Sequence, residues 1–183
     1  MAQAYIFLAP GYEEVEMLTV VDMVRRAKLE IDMVSITDQK EVTSSHNVTI
    51  TADRLFAEAD FETAQMLVLP GGIPGTPNLR AYEPLCEQLR IFAADPEKWV
   101  AAVCAAPTVL GELGILDGRR ATCYPSFADK IICGEYVEQP AVRDGHVITS
   151  RGMGTCIEFA AEIITALKDR ETAEQIKTAI VYQ

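Results

Sequence analysis

Apolar residues fall along this chain in two alternating rhythms. Short continuous runs, at Tyr5-Ile6-Phe7-Leu8, Ile31 to Ile36, Met66-Leu67-Val68-Leu69 and Trp99 to Val103, predict strands buried on both faces. Between them lie stretches with helical period. Met17, Val20, Val21 and Val24 share one face of a helix over Val15 to Ala27, and Arg25 and Arg26 suit its C-terminal dipole. Glu83 to Ala94 predicts another helix, and Pro107 opens one that ends near Gly114. Glu41 to Thr51 reads as a small irregular hairpin. Tyr136 to Gln139 and His146 to Ser150 read as short strands around an Asp144-Gly145 turn. Thr155-x-x-Glu158 and Thr172-x-x-Gln175 have the form of capping boxes for two closing helices. No repeat, low-complexity tract or linker interrupts the series. The alternation predicts one α/β domain over residues 1–183: a doubly wound, mostly parallel sheet with helices on both faces.

Composition narrows the partners. With 183 residues, 49% of them hydrophobic and 23% charged, the chain has enough apolar material for a full core. Its formal charge of −11 repels phosphate backbones and anionic lipid heads, so neither nucleic-acid nor membrane affinity is expected. Met1 to Pro10 lacks the basic flank and cleavage site of a signal peptide and reads as a buried strand. Five cysteines without paired spacing predict reduced thiols in a cytoplasmic compartment. His46 and His146 stand at no ligand spacing from a second His or Cys, so no metal is expected.

In doubly wound sheets ligands bind beyond the carboxyl ends of the strands. Three such ends carry chemistry. In Ala102-Val103-Cys104-Ala105-Ala106-Pro107, small residues two before and two after the cysteine permit a sharp strand-to-helix turn that presents a nucleophile. Amide N–H groups opening the next helix would face the sulfur, favouring thiolate. The ordinary alternative is a buried packing cysteine, which is the reading kept for Cys86, Cys123, Cys133 and Cys156. In Gly11-Tyr12-Glu13-Glu14-Val15-Glu16, a helix dipole accounts for Glu13 and Glu14. Glu16, one turn on, could face inward as a carboxyl of raised pKa or remain a helix-terminus charge. In Leu69-Pro70-Gly71-Gly72-Ile73-Pro74-Gly75, adjacent glycines could bring amides to an oxyanion or simply form a turn. Their spacing is not the dinucleotide fingerprint, and no cofactor is expected. Gly152-Met153-Gly154-Thr155 is a weaker loop of the same type.

In that order, Gly-x-Glu-Glu-x-Glu, Leu-Pro-Gly-Gly, Ala-Ala-x-Cys-Ala-x-Pro-Thr and Thr-Ser-Arg-Gly-x-Gly-Thr resemble the ThiJ/PfpI superfamily over nearly the whole chain. The resemblance is greatest to its Parkinson-disease protein deglycase branch. It implies a flavodoxin-like sandwich, a homodimer, a catalytic Cys104 with a protonated Glu16, and oxyanion donors at Gly71, Gly72 and Ala105. Tyr124, His46 and Arg26 are candidate site-lining residues. Two departures stand out. Tyr124-Pro125 replaces a histidine-proline of the branch, removing its proton shuttle. His46 replaces an arginine that reaches across the dimer. Ala105, where peptidase branches carry histidine, argues against their dyad. The resemblance thus implies cofactor-free glyoxalase or deglycase-like action on a small-molecule carbonyl substrate. Alternatives are a redox sensor or stress-linked chaperone whose Cys104 is oxidised, or a binding protein with a vestigial site. A thiazole monophosphate role is carried by family name alone, since no phosphate-binding loop is present.

Overall fold

The computed structural model describes residues 3–183; Met1 and Ala2, the start of the stretch read as a strand rather than a leader, lie outside them. In chain order the elements are β1 (Ala4–Leu8), α1 (Glu14–Arg26), β2 (Ile31–Ser35), β3 (Glu41–Thr43), β4 (Thr49–Thr51), β5 (Arg54–Leu55), β6 (Met66–Leu69), α2 (Gly75–Ala81) and α3 (Glu83–Ala94). They continue with β7 (Trp99–Val103), α4 (Pro107–Glu112), β8 (Arg120–Ala121), β9 (Glu135–Tyr136), β10 (Ala141–Asp144), β11 (Val147–Ser150), α5 (Cys156–Leu167) and α6 (Arg170–Ala179). Seven strands form one sheet in the order β10-β11-β7-β6-β1-β2-β5, parallel except for β10 against β11.

The unbroken apolar runs have a direct cause. Ala4, Ile6 and Leu8 of β1 point into one core with Met17, Val20 and Val24 of α1 and Phe159 and Ile163 of α5. Tyr5 and Phe7 point into the opposite core with Leu85, Leu89 and Phe92 of α3 and Val109 of α4. A strand covered on both faces needs no polar alternation. Burying a Leu, Ile, Val or Phe side chain is worth about 1.5–3 kcal/mol each, so these two layers hold the sandwich together.

Several local readings are corrected. The strand paired with β11 is β10, which begins after Pro140; Glu135 and Tyr136 instead pair with β8 in a separate small sheet. The hairpin arm that precedes the Asp144-Gly145 turn is thus Ala141–Asp144, beyond Pro140, and not the stretch from Tyr136 to Gln139. Neither Thr capping box forms. The Asp169 side chain accepts from the Thr172 N–H at 2.7 Å, so α6 starts earlier than Thr172 would set it. Thr155 turns its hydroxyl to Ser150 and Gly152. The segment Gly75–Ala81, to which the pattern assigns no element, is helical. Met23, which looks like surplus surface on α1, is buried, leaving Val15 and Leu18 as the exposed apolar pair of that helix.

Candidate functional site

The sheet order places the chemistry. From β1 the chain crosses through α1 to β2 on one side, while β6 and β7 lie on the other, so crossovers diverge between β1 and β6. That divergence leaves a crevice at the carboxyl ends of β1, β6 and β7. Glu16, Gly71 with Gly72, and Cys104 follow those three strands in turn.

Cys104 sits at φ 65°, in the left-handed region that a non-glycine residue occupies at a cost of about 1–3 kcal/mol. Backbone bonds hold it there: its N–H donates to Ser150 O at 3.1 Å, and its carbonyl accepts from Tyr124 N–H at 2.8 Å. Ala102 and Ala106, both fully buried, leave room for the fold-back. The turn presents Sγ to a carboxyl and two amides. The Glu16 carboxyl hydrogen-bonds the thiol, and the N–H groups of Ala105 and Gly72 face the sulfur.

Glu16 is 1% exposed and anchored at both ends. Its N–H donates to the Glu13 carboxylate at 2.7 Å, and its Oε2 accepts from Gly71 N–H at 2.8 Å. The oxyanion expectation is therefore split. Gly72 and Ala105 amides face the sulfur, whereas the Gly71 N–H is spent on Glu16. Gly71 contributes space instead: a Cβ there would lie 2.5 Å from Cys104 Cβ and 2.7 Å from Glu16 Oε2.

Both groups of the pair are shifted upward, as expected for an inward-facing Glu16 carboxyl and contrary to the thiolate expected of Cys104. Burial pushes Glu16 up to about 7, even against the lowering effect of the Gly71 N–H and the Cys104 hydrogen bond. Burial, then the Glu16 charge and hydrogen bond, push the Cys104 thiol up to about 12, opposed by the Ala105 and Gly72 amides. Burial thus holds each group toward its protonated form, and the two share a hydrogen bond.

The remaining candidates divide. Tyr124 reaches the site's rim: its ring and Glu16 Oε1 flank Gly152, whose absent Cβ would lie 3.3 Å from Tyr124 Cδ2 and 3.9 Å from Glu16 Oε1. His46 lies at the entrance to α1, with Nδ1 3.0 and 3.2 Å from the two Glu14 oxygens. Glu13, Glu14 and His46 each bring one potential ligand atom within 4.8 Å of the others, a clustering invisible in sequence spacing. Arg26 is not brought to the site. It ends α1, ten residues and about 15 Å beyond Glu16, and pairs with Asp22 at 2.6 Å.

A seven-stranded flavodoxin-like sandwich with a cysteine on a strained strand-to-helix turn, backed by a buried carboxyl, defines the class. The chain matches the DJ-1/PfpI family over residues 2–166 and belongs to it. It is 34% identical to the Parkinson disease protein 7 homolog of Danio rerio, over 98% of this chain and 96% of that protein. Identity to the glutathione-independent glyoxalase DJ-1 of Schizosaccharomyces pombe is 28%, covering 94% and 96%. Protein DJ-1 homolog B of Arabidopsis thaliana is 34% identical over 97% of this chain, but the chain spans only 40% of its length. Among solved structures, oxidized Toxoplasma gondii DJ-1 superposes with a TM-score of 0.94 at 32% identity, covering 100% and 99% of the two chains.

Proposed function

We propose that this protein converts small reactive carbonyls without a cofactor, through Cys104 as nucleophile and Glu16 as the single acid and base. The observation that carries this reading is the Cys104 thiol hydrogen-bonded to Glu16 with two amide donors at the sulfur. As Sγ attacks an aldehyde carbon, the C–S bond forms and the carbonyl π pair moves onto oxygen. The thiol proton passes to Glu16, and the Gly72 and Ala105 amides favour the developing oxyanion. Glu16 then protonates that oxygen to give a hemithioacetal. With methylglyoxal, the regenerated carboxylate removes the C1 proton and returns it at C2 while the hydroxyl proton passes from O1 to O2, leaving a lactoyl thioester. Water hydrolyses the thioester to lactate and free thiol, so no outside oxidant is needed. The name of the Schizosaccharomyces pombe relative supports this class of reaction.

The proposal extends to a homodimer in a reducing, cytoplasmic compartment. Five free cysteines and the exposed Val15 and Leu18 of α1 support it. Among the described residues no helix is long and apolar enough to cross a membrane. A second reading, reversible oxidation of Cys104 by peroxide, is favoured by the partial exposure of the thiol and by the two amides, which suit an oxidised, anionic sulfur. Turnover of methylglyoxal by the wild type and by Cys104→Ser decides between them. Lactate formation lost in the variant supports the carbonyl reading; equal decay of methylglyoxal with both proteins removes it.

A further inference from the structure

The start of α1 is tied to the loop after β6 by a closed ring of three hydrogen bonds. The Glu13 N–H donates to Gly71 O at 2.9 Å, and the Gly71 N–H donates to Glu16 Oε2 at 2.8 Å. The Glu16 N–H closes the ring on Glu13 Oε2 at 2.7 Å. The ring lies directly behind the reacting groups. Its Glu16 carboxyl hydrogen-bonds the Cys104 thiol, and Gly72, which follows its Gly71, turns an N–H to the same sulfur. Gly72 is itself packed on the Glu13 backbone: a Cβ there would lie 2.5 Å from Glu13 N.

Helix capping alone does not call for this residue. Glu13 is the N-cap of α1, a position that favours Ser, Thr, Asp or Asn, whose short side chains reach the same N–H. Glu13 instead sets a second carboxylate beside Glu16, a like charge on a side chain only 13% accessible. Among the described residues its one basic neighbour is His46, whose Nδ1 lies 4.0 Å from Glu13 Oε1 and 3.0 Å from Glu14 Oε1. Glu16 faces Cys104 from the end of β7, Cys156 from α5 and Tyr124 across Gly152, none of which supplies positive charge. A helix that gives up a preferred cap and crowds two acids gains nothing for itself. The arrangement serves the pair.

We propose that Glu13 is the positioning residue of this site, closing the ring that holds the Glu16 carboxyl and the Gly72 amide against Cys104. Its charge has a second effect. It disfavours ionised Glu16, which makes that carboxylate the stronger base once it forms. This role rests on the carbonyl reading where turnover is concerned, whereas alkylation of Cys104 tests it without that reading.

Three variants of the full chain separate the ring from the charge. Glu13→Ala opens the ring and removes the charge, Glu13→Ser closes the ring without the charge, and Glu13→Asp closes it with the charge. Iodoacetamide alkylation of Cys104 is followed against pH, with the Tm and methylglyoxal turnover alongside. Glu13→Ala should alkylate and turn over about 10- to 100-fold more slowly than wild type, as expected of a misplaced base. Its inflection with pH should fall below that of wild type, because the like charge is gone. Glu13→Ser should regain the Tm and part of the rate but keep the lowered inflection. Glu13→Asp should regain the rate and the inflection together. A wild-type alkylation rate and inflection in Glu13→Ala overturn the positioning role. Full recovery of both in Glu13→Ser also overturns it, reducing Glu13 to a helix cap. The expected alkylation pattern without methylglyoxal turnover even by wild type supports the positioning role and overturns the carbonyl reading alone.

Discussion

At the scale of single residues, the pair Glu16 and Cys104 makes a prediction about pH. Raising a buried carboxyl from its ordinary 4.5 to about 7 corresponds to about 3 kcal/mol. The protonated form is favoured in the folded state. That contribution is therefore full below pH 4.5 and is lost as pH rises through 7. Glu16→Gln should flatten this part of the stability profile and melt above wild type at pH 8, measurable by thermal denaturation across pH. The reactive form has the opposite dependence, because the carboxylate is the base. Alkylation of Cys104 and methylglyoxal turnover should both rise through about pH 7 in wild type. In Glu16→Gln they should fall by about 10²–10⁴-fold and lose that inflection. Gly71→Ala offers a second check: its Cβ would displace both partners, so activity should collapse although no reacting group is changed. An active Gly71→Ala protein would show that the pair does not need this contact. Tyr124→His should raise turnover, since histidine exchanges protons near neutral pH and tyrosine does not. Cys104 was legible from its small neighbours and its turn. Its protonation was not, because whether burial outweighs amide donors depends on three strand ends brought together in space.

At the scale of elements, periodicity located what packing demanded and missed what local bonding decided. The buried strands and the amphipathic helices over Glu14–Arg26 and Glu83–Ala94 follow from apolar spacing, because each buries a face. The segment Gly75–Ala81 is too short for periodicity to reveal, and its Gly75 and Pro77 fall in the first turn, where neither a glycine nor a proline breaks an intrahelical hydrogen bond. The start of α6 gives a measurable contrast. Asp169→Ala removes the side chain that caps the Thr172 N–H and should cost about 0.5–2 kcal/mol, read as a lower urea midpoint. Thr172→Ala keeps that N–H and its acceptor and should change the midpoint little. Equal losses in the two variants would restore Thr172 as the cap.

At the scale of the whole molecule, one helix links the site to the surface. α1 buries Glu16 against the sheet and exposes Val15 and Leu18 on its outer side, 43% and 42% accessible, with Val48 at 42% on the nearby hairpin. Isolated apolar residues on a surface need no partner, but three on one helix and the loop hydrogen-bonded to its entrance fit a self-complementary contact. A twofold pairing of α1 would cover them and would bring His46, at that same entrance, to the boundary between protomers. Light scattering at micromolar concentration should therefore give a dimer for wild type and a monomer for Leu18→Glu, whose charge cannot be buried unpaired. His46→Ala separates assembly from chemistry. If the partner's entrance loop serves the site, that variant stays dimeric yet loses turnover, whereas full activity leaves Glu16 as the only proton carrier. A monomeric wild type would refute the pairing and return Val15, Leu18 and Val48 to ordinary surface.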